Sequence, residues 1–503
     1  MIRTALLSSE ARAVAKVCPH VATTNTSTSS DVKPFSRIPG PSTVPFFGNF
    51  RNFLNSTFLG DDQYVQKYFD ELKSLHEEYG NIVKVDLGFG KGHVVHVFDP
   101  EDARTVFAAD GRQPHIVPLQ ETTKKYRELK GINAGLGNLN GAEWYRLRSS
   151  VQQAMMRPQS VQNYLPFSNQ VVAQLVEHIK KESNADGEVN MTAVSGRWSL
   201  ESAGRIVFEK HLGALSDNTV WADQLIQTNK EIFQLSARMR LGIPFFRFFK
   251  TPNWKKMIEL EDFFYGEVDT LMEEAIANLT SKKSTSDMQF ASYLINRPEL
   301  TKTDVKVILL SLFSDGLSTT APMLVYNLFN IATHPDIQSQ LREEVRNALS
   351  NEKHFTPAAL NRLPLLRACI KETFRMFPIG TEISRVPQKD LIVAGYEVPA
   401  GTPIDINTNV LMRSEKLYTE STEFKPARWL REASKESHPF AFLPFGIGPR
   451  MCAGRRFAEQ DLLVVLGTLI HSFEISHTGE PISQIYETLL LPVGNCNFRF
   501  ESV

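Results

Sequence analysis

The sequence predicts a mainly α fold with small β-sheets, on three observations. Apolar residues recur at three- and four-residue spacing through most of the chain, the signature of amphipathic helices. Strand-like alternation is confined to two stretches, NIVKVDLGFGKGHVVHVF (residues 81–98) and DLIVAGYEVPAGTPIDI (390–406). No internal repeat, and past the N-terminus no linker or low-complexity segment, divides what lies between.

At 503 residues, with 42% hydrophobic and 22% charged residues, the chain can bury a large core. Its net charge of -1 gives no reason to expect nucleic acid as a partner. Its four cysteines, Cys18, Cys369, Cys452 and Cys496, are too few for a disulfide framework, which points to a reducing compartment.

The first element is the N-terminus. Residues 1–30 carry Arg3, Arg12 and Lys16 against the single acid Glu10 and end in a run of threonine and serine. That composition suits a mitochondrial transit peptide, assigned here to residues 1–33; an ordinary disordered tail is the other reading. No apolar stretch at this end approaches the ~18 to 20 residues that cross a bilayer. Pro34, Pro39, Pro41 and Pro45 then form a stiff, non-helical entry to the body, taken as one domain over 34–503.

Residues 81–98 alternate about a glycine-rich turn and read as a β-hairpin. EWYRLRSS places Trp144 and Arg148 one helical turn apart. PFFRFFKTPNWKK (244–256) mixes five aromatics with basic residues after a helical segment, a composition suited to a membrane interface and equally to burial in the core. A long apolar helix is expected from near Thr303 through DGLSTTAP (315–322). Pro322 lacks an amide hydrogen and crowds the carbonyl of Ser318, so the helix is expected to open there and expose that carbonyl beside Thr319. ETFR puts Glu372 and Arg375 on one face of a helix ending near Pro378.

The richest stretch is FLPFGIGPRMCAGRRFAEQ (442–460). From Ala453 a helix can run with Phe457, Leu462, Leu463, Leu466, Ile470 and Phe473 on its apolar face. Cys452 then sits at a helix N-terminus, where free amides and the macrodipole favour a thiolate. Gly446, Gly448 and Gly454 let a flat group approach the backbone, and Arg450 can pair with a carboxylate on it. A haem satisfies all of these requirements at once. A lone cysteine elsewhere would be read as inert packing.

Phe445, Gly448, Arg450, Cys452 and Gly454 together match the cysteine-ligand signature of the cytochrome P-450 haem-thiolate monooxygenases, and the chain is identified as resembling that family over nearly all of 34–503. The resemblance implies the P-450 fold, a haem whose iron is ligated by Cys452, and Phe445 and Gly446 against the haem. It implies that Trp144, Arg148 and Arg385 contact the propionates, with a buried core aromatic as the alternative for Trp144. Glu372, Arg375 and Arg428 resemble the family's buried Glu-Arg-Arg set, with Ala427 where an acid is common. In DGLSTTAP, Gly316 and Thr319 match the oxygen-side motif, but Ser318 stands where the family has an acid. A relay through Thr319 and a water held at the exposed Ser318 carbonyl, helped by the Ser318 hydroxyl, is therefore expected to replace the carboxylate-assisted one; a serine bonded back to its own helix is the alternative.

Arg367 and Lys371, four apart, and Arg455 and Arg456, in a first turn where cations are disfavoured, resemble the basic surface on which mitochondrial members dock an acidic ferredoxin. A solvated face, or a propionate contact from Arg455 or Arg456, is the other reading. The implied function is O2 activation with ferredoxin electrons and hydroxylation of a lipophilic substrate, sterol-like by analogy with the mitochondrial branch, by a peripheral protein on the matrix face of the inner membrane. A haem-thiolate isomerase, or a carrier or sensor without turnover, is the competing class.

Overall fold

The computed structural model describes residues 32–49, 63–184, 187–281, 290–430 and 438–503. The transit-peptide expectation falls on residues outside this set.

The axis of the molecule is the 31-residue helix Lys302–Ala332. It begins in a capping box: the Thr301 hydroxyl accepts from the Asp304 amide at 3.1 Å, and the Asp304 carboxylate accepts from the Thr301 amide at 2.9 Å. Beyond that turn it is apolar nearly all round, as a helix must be when other elements cover every side. It is the one described helix long and apolar enough to cross a membrane, yet most of that stretch is buried inside the protein. The helix Met191–Val207 packs along it, with Thr219–Leu241 and Pro252–Ser281 over the outer side and Arg455–Ser472 beneath.

Here one expectation is corrected. The helix does not open at Pro322: it stays helical from end to end. Ala321, Pro322, Met323, Leu324 and Val325 are all buried, so packing on both sides of the proline keeps the helix unbroken there.

The expected hairpin forms, with Ile82–Asp86 antiparallel to His93–Val97. The second alternating stretch supplies two separate pieces. Leu391–Val393 and Tyr396–Val398 make their own hairpin, whereas Ile404–Ile406 runs parallel to His93–Val97 and antiparallel to Ile383–Arg385. Arg385 is thereby carried on the last strand of a four-stranded sheet. Three antiparallel strands, Glu188–Asn190, Asn497–Ser502 and Phe473–Ser476, close the C-terminus.

Candidate functional site

A cavity of about 530 Å³ lies between the central helix and the loop 442–454, lined on one side by Asp315, Gly316 and Thr319 and on the other by Phe445, Gly446 and Cys452. Its lining is mostly apolar, as small-molecule sites are.

The loop reaches its shape through glycine. Gly446 and Gly448 have φ of 67° and 76°, which only glycine adopts without strain, and the Cys452 amide donates to the Phe445 carbonyl at 2.9 Å across the turn. The following helix starts at Arg455, two residues later than its pattern suggested, because Gly454 serves as its N-cap. Cys452 therefore lies just outside the helix mouth. Its sulfur is open to the cavity yet surrounded by protein. Burial first, and then the Asp315 charge, push the thiol up, while the Gly454 amide, the Arg148 guanidinium and the Arg455 amide pull it down. A cation or metal in the cavity would complete what those amides begin.

At one edge three arginines converge. Arg148 donates to the Met451 carbonyl at 2.6 Å, and its Nε is buried without a partner. Arg450 lies over the Trp144 ring, 4.0 Å from its centroid, and donates to the Pro114, Leu136 and Leu139 carbonyls and to Asn140 Oδ1. Arg385 pairs with Asp110 at 2.7 Å and also donates to the Ile447 carbonyl. Burial first, then the Arg385 and Arg148 charges, pull Arg450 down to about 9, with Asp110 opposing. Three guanidiniums facing one carboxylate leave this edge short of negative charge. Two carboxylates of a flat bound group would supply it, and an orphaned Arg148 Nε waits for an acceptor. The residues present thus fit a haem held by Cys452 with its propionates toward Arg148, Arg385 and Arg450. Trp144 is both a buried aromatic and part of this edge, through its contact with Arg450.

Behind the loop, Glu372 and Arg375 on the helix Pro364–Met376 are fully buried and bidentate, at 3.0 and 2.9 Å. Arg428 Nε reaches Glu372 at 2.9 Å, and the Trp429 indole donates to the other carboxylate oxygen at 2.8 Å. Arg375 spends its remaining donors on the carbonyls of Met412, Ser421 and Glu423. Edge-to-face contact of Phe374 with Phe445, and contact of Trp429 with Phe442, join this cluster to the cysteine loop. Trp429 was not singled out from the sequence; its place beside Arg428 in FKPARWL is the signal that would have found it.

The oxygen-side motif is arranged differently from expectation. The Thr319 hydroxyl lines the cavity and donates back to the Asp315 carbonyl at 2.7 Å. Ser318 is not beside it: its hydroxyl is buried and accepts from Asn229 Nδ2 at 2.7 Å, while Asn229 Oδ1 accepts from Ser314 at 2.7 Å. Successive helix residues point about 100° apart, so Ser318 turns toward the helix Thr219–Leu241 when Thr319 faces the cavity. Nor does it bond back to its own helix. Asp315, whose carboxylate the sequence reading passed over, does line the cavity.

On the far side of the loop, Arg455 pairs with Glu459 at 2.9 Å, Arg367 donates to the Leu360 carbonyl at 3.1 Å, and Lys371 lies exposed, 5.8 Å from the Trp429 ring centroid. Lys371 is near enough to feel both arginines: partial enclosure by the protein lowers it first, Arg455 and Arg367 lower it further, and Glu459, the partner of Arg455, opposes them. Arg456 is half-buried beside them in sequence.

A cytochrome P450 family model matches residues 38–500. The chain is 60% identical over 97% of its length to the probable cytochrome P450 CYP44 of Caenorhabditis elegans, of which it covers 97%. It is 30% identical to the probable cytochrome P450 12a5, mitochondrial, of Drosophila melanogaster, over 94% of this chain and 91% of that one. With the 1,25-dihydroxyvitamin D(3) 24-hydroxylase, mitochondrial, of Rattus norvegicus it shares 28% identity over 92% and 89%. With the cavity, the thiol and the arginine edge in place, these matches show that the chain belongs to the cytochrome P450 family, monooxygenases that bind haem through a cysteine thiolate.

Proposed function

We propose that this P450 is a mitochondrial enzyme, fed by an acidic ferredoxin at the matrix face of the inner membrane, that hydroxylates a lipophilic, sterol-sized substrate. The observation that carries the reading is the cluster of Arg367, Lys371 and Arg455 beside the cysteine loop, on the side away from the cavity, in a chain whose first residues read as a transit peptide. Glu459 answers part of this charge, and an anionic partner covering the cluster would answer the rest. The names of the mitochondrial relatives from Drosophila and rat support the same branch. Lys371→Glu is expected to slow reduction by ferredoxin about tenfold, and added salt is expected to slow the wild type. Stopped-flow reduction measures both, and rates unmoved by either change remove the docking surface. Sequencing the N-terminus of protein from its native source checks the location; an intact Met1 on microsomal protein overturns it.

Membrane contact is supported by two adjoining aromatic groups. Phe46, Phe47 and Phe89 pack edge to face, with Phe46 and Phe47 exposed, and Phe245, Phe248 and Phe249 are exposed in the loop after Thr219–Leu241. Lys91 ties the groups together by donating to the Arg240 and Gly242 carbonyls. Phe246 of the same loop, and Trp254 in the first turn of the helix Pro252–Ser281, are buried, so the segment serves both interface and core.

The bound haem supplies the oxidising chemistry of the family. Cys452 would hold it, Arg148, Arg385 and Arg450 would orient it, and the apolar lining would exclude water from the reacting carbon. Thr319 Oγ is the proton-carrying hydroxyl of the cavity wall, kept in place by its bond to the Asp315 carbonyl and serving the dioxygen co-substrate. Ser318, committed to Asn229, has no part in it. Thr319→Ala is expected to leave substrate binding and haem reduction intact and to divert most electrons to hydrogen peroxide or water. Product formed per electron is the measure, and wild-type coupling in the variant sinks the assignment.

A further inference from the structure

The Asp315 side chain has no role in the account so far. It stands on the cavity face of the central helix, open to the cavity and otherwise enclosed by protein. Among the described residues its carboxylate accepts no hydrogen bond and forms no ion pair; burial raises it to about 6, and the Arg127 charge alone opposes.

The other two acids of the cavity wall already have hydrogen-bond partners, and for Glu382 that partner is a cation. Glu382 pairs with Arg240 at 2.6 Å, and Asp461 accepts from Ser168 and Ser202, both at 2.6 Å. Arg127 does not neutralise Asp315 by itself. Its guanidinium is bonded to the Ala134 carbonyl at 2.9 Å and to the Ser311 hydroxyl, one turn before Asp315, at 3.4 Å, and the buried Glu261 acts on it more strongly than Asp315 does. The arginines that face the cavity, Arg148, Arg385 and Arg450, are gathered at the propionate edge and held there by backbone carbonyls and Asp110. Among the described side chains, a molecule beside the central helix therefore meets one carboxylate that has neither a hydrogen bond nor an ion pair, that of Asp315.

We infer that Asp315 is the specificity-determining pole of the substrate cavity, selecting lipophilic molecules that carry a cationic nitrogen and rejecting lipophilic anions such as fatty carboxylates. The inference rests on the cavity being the substrate site. A carboxylate in a largely dry cavity gains from a cation that replaces its lost water and is penalised by a second carboxylate. A neutral body fills the apolar lining with no comparable gain. Within a sterol-sized substrate, this adds a basic nitrogen on the side that lies against the central helix.

The test uses the haem-loaded protein and three probes of matched size: decyltrimethylammonium, its neutral isostere 2,2-dimethyldodecane, and undecanoate. A quaternary nitrogen has no lone pair, so it cannot be mistaken for an iron ligand. Binding is read by the spin-state change of the ferric haem and independently by calorimetry. Wild type is expected to bind the cation about tenfold more tightly than the neutral isostere, and the anion more weakly than both. Asp315→Asn, nearly the same in shape, is expected to remove the cation's advantage, so that it binds no more tightly than the isostere, while leaving the isostere's own affinity and the carbonyl spectrum unchanged; the last two show that the variant is folded and loaded. Equal binding of cation and isostere by wild type, or a cation preference that survives in Asp315→Asn, overturns the inference and leaves the substrate site standing. If none of the three binds, the cavity is not the substrate site, and both readings fall.

Discussion

Glu372→Ala is expected to yield no haem-loaded, folded protein. Glu372 is the single acid at the centre of four donors: Arg375, Arg428, the Trp429 indole and the Lys425 amide. Removing it strands the fully buried Arg375 guanidinium, whose other bonds go to carbonyls that cannot balance its charge. Breaking a buried pair from one side costs about 3–5 kcal/mol, a large part of the roughly 5–15 kcal/mol that holds a native protein together. The loss reaches the haem site because Phe374 and Trp429 pack directly on Phe445 and Phe442 of the cysteine loop. Glu372→Gln, which keeps the shape and one acceptor, is expected to retain more folded protein than the alanine variant but less than wild type. Soluble yield, thermal melting and the carbonyl difference spectrum measure the series. An alanine variant that melts and binds carbon monoxide like wild type would show the cluster to be dispensable.

Cys452→His is expected to abolish the thiolate-type carbonyl spectrum completely and to lower turnover by more than the roughly 10- to 100-fold that changes in the surrounding shell cause. The loop turns through two left-handed glycines to present this sulfur, and the Gly454 and Arg455 amides are aimed at it rather than at a nitrogen base. Histidine can ligate iron, so a loaded protein with an imidazole-type spectrum is compatible with the assignment. Persistence of the thiolate spectrum would transfer the ligand role to another cysteine. Cys369 and Cys496 are both buried and do not line the cavity, which makes them unsuitable.

Much of the site was legible because its residues are local. The approach to Cys452 is a single run of residues whose glycines and helix start are set by near neighbours, and Glu372 with Arg375 are one turn apart on one helix. Trp144 and Arg148 follow the same rule. Where a side chain's task depended on a distant partner, reading failed or stopped short. Ser318 was expected beside Thr319, and Asn229, from a helix some ninety positions earlier, claims it. The opening at Pro322 was reasoned from one helix alone, and the neighbours that keep that helix in line come from elsewhere in the chain.

The sequence by itself determined the class of the fold, the thiolate ligand and the helix that carries the oxygen-side motif, because periodicity, glycine spacing and helix-end chemistry act over a few residues. Tertiary structure alone decided the charge balance inside the cavity. Asp315 is one of 56 acidic residues, and nothing in its neighbours' identity says that it would be unmatched. That follows only once Glu382 has met Arg240, Asp461 has met two serines and Arg127 has bonded to the Ala134 carbonyl. Burial makes each of those pairings strong, and burial is a property of the packed chain and of no single segment.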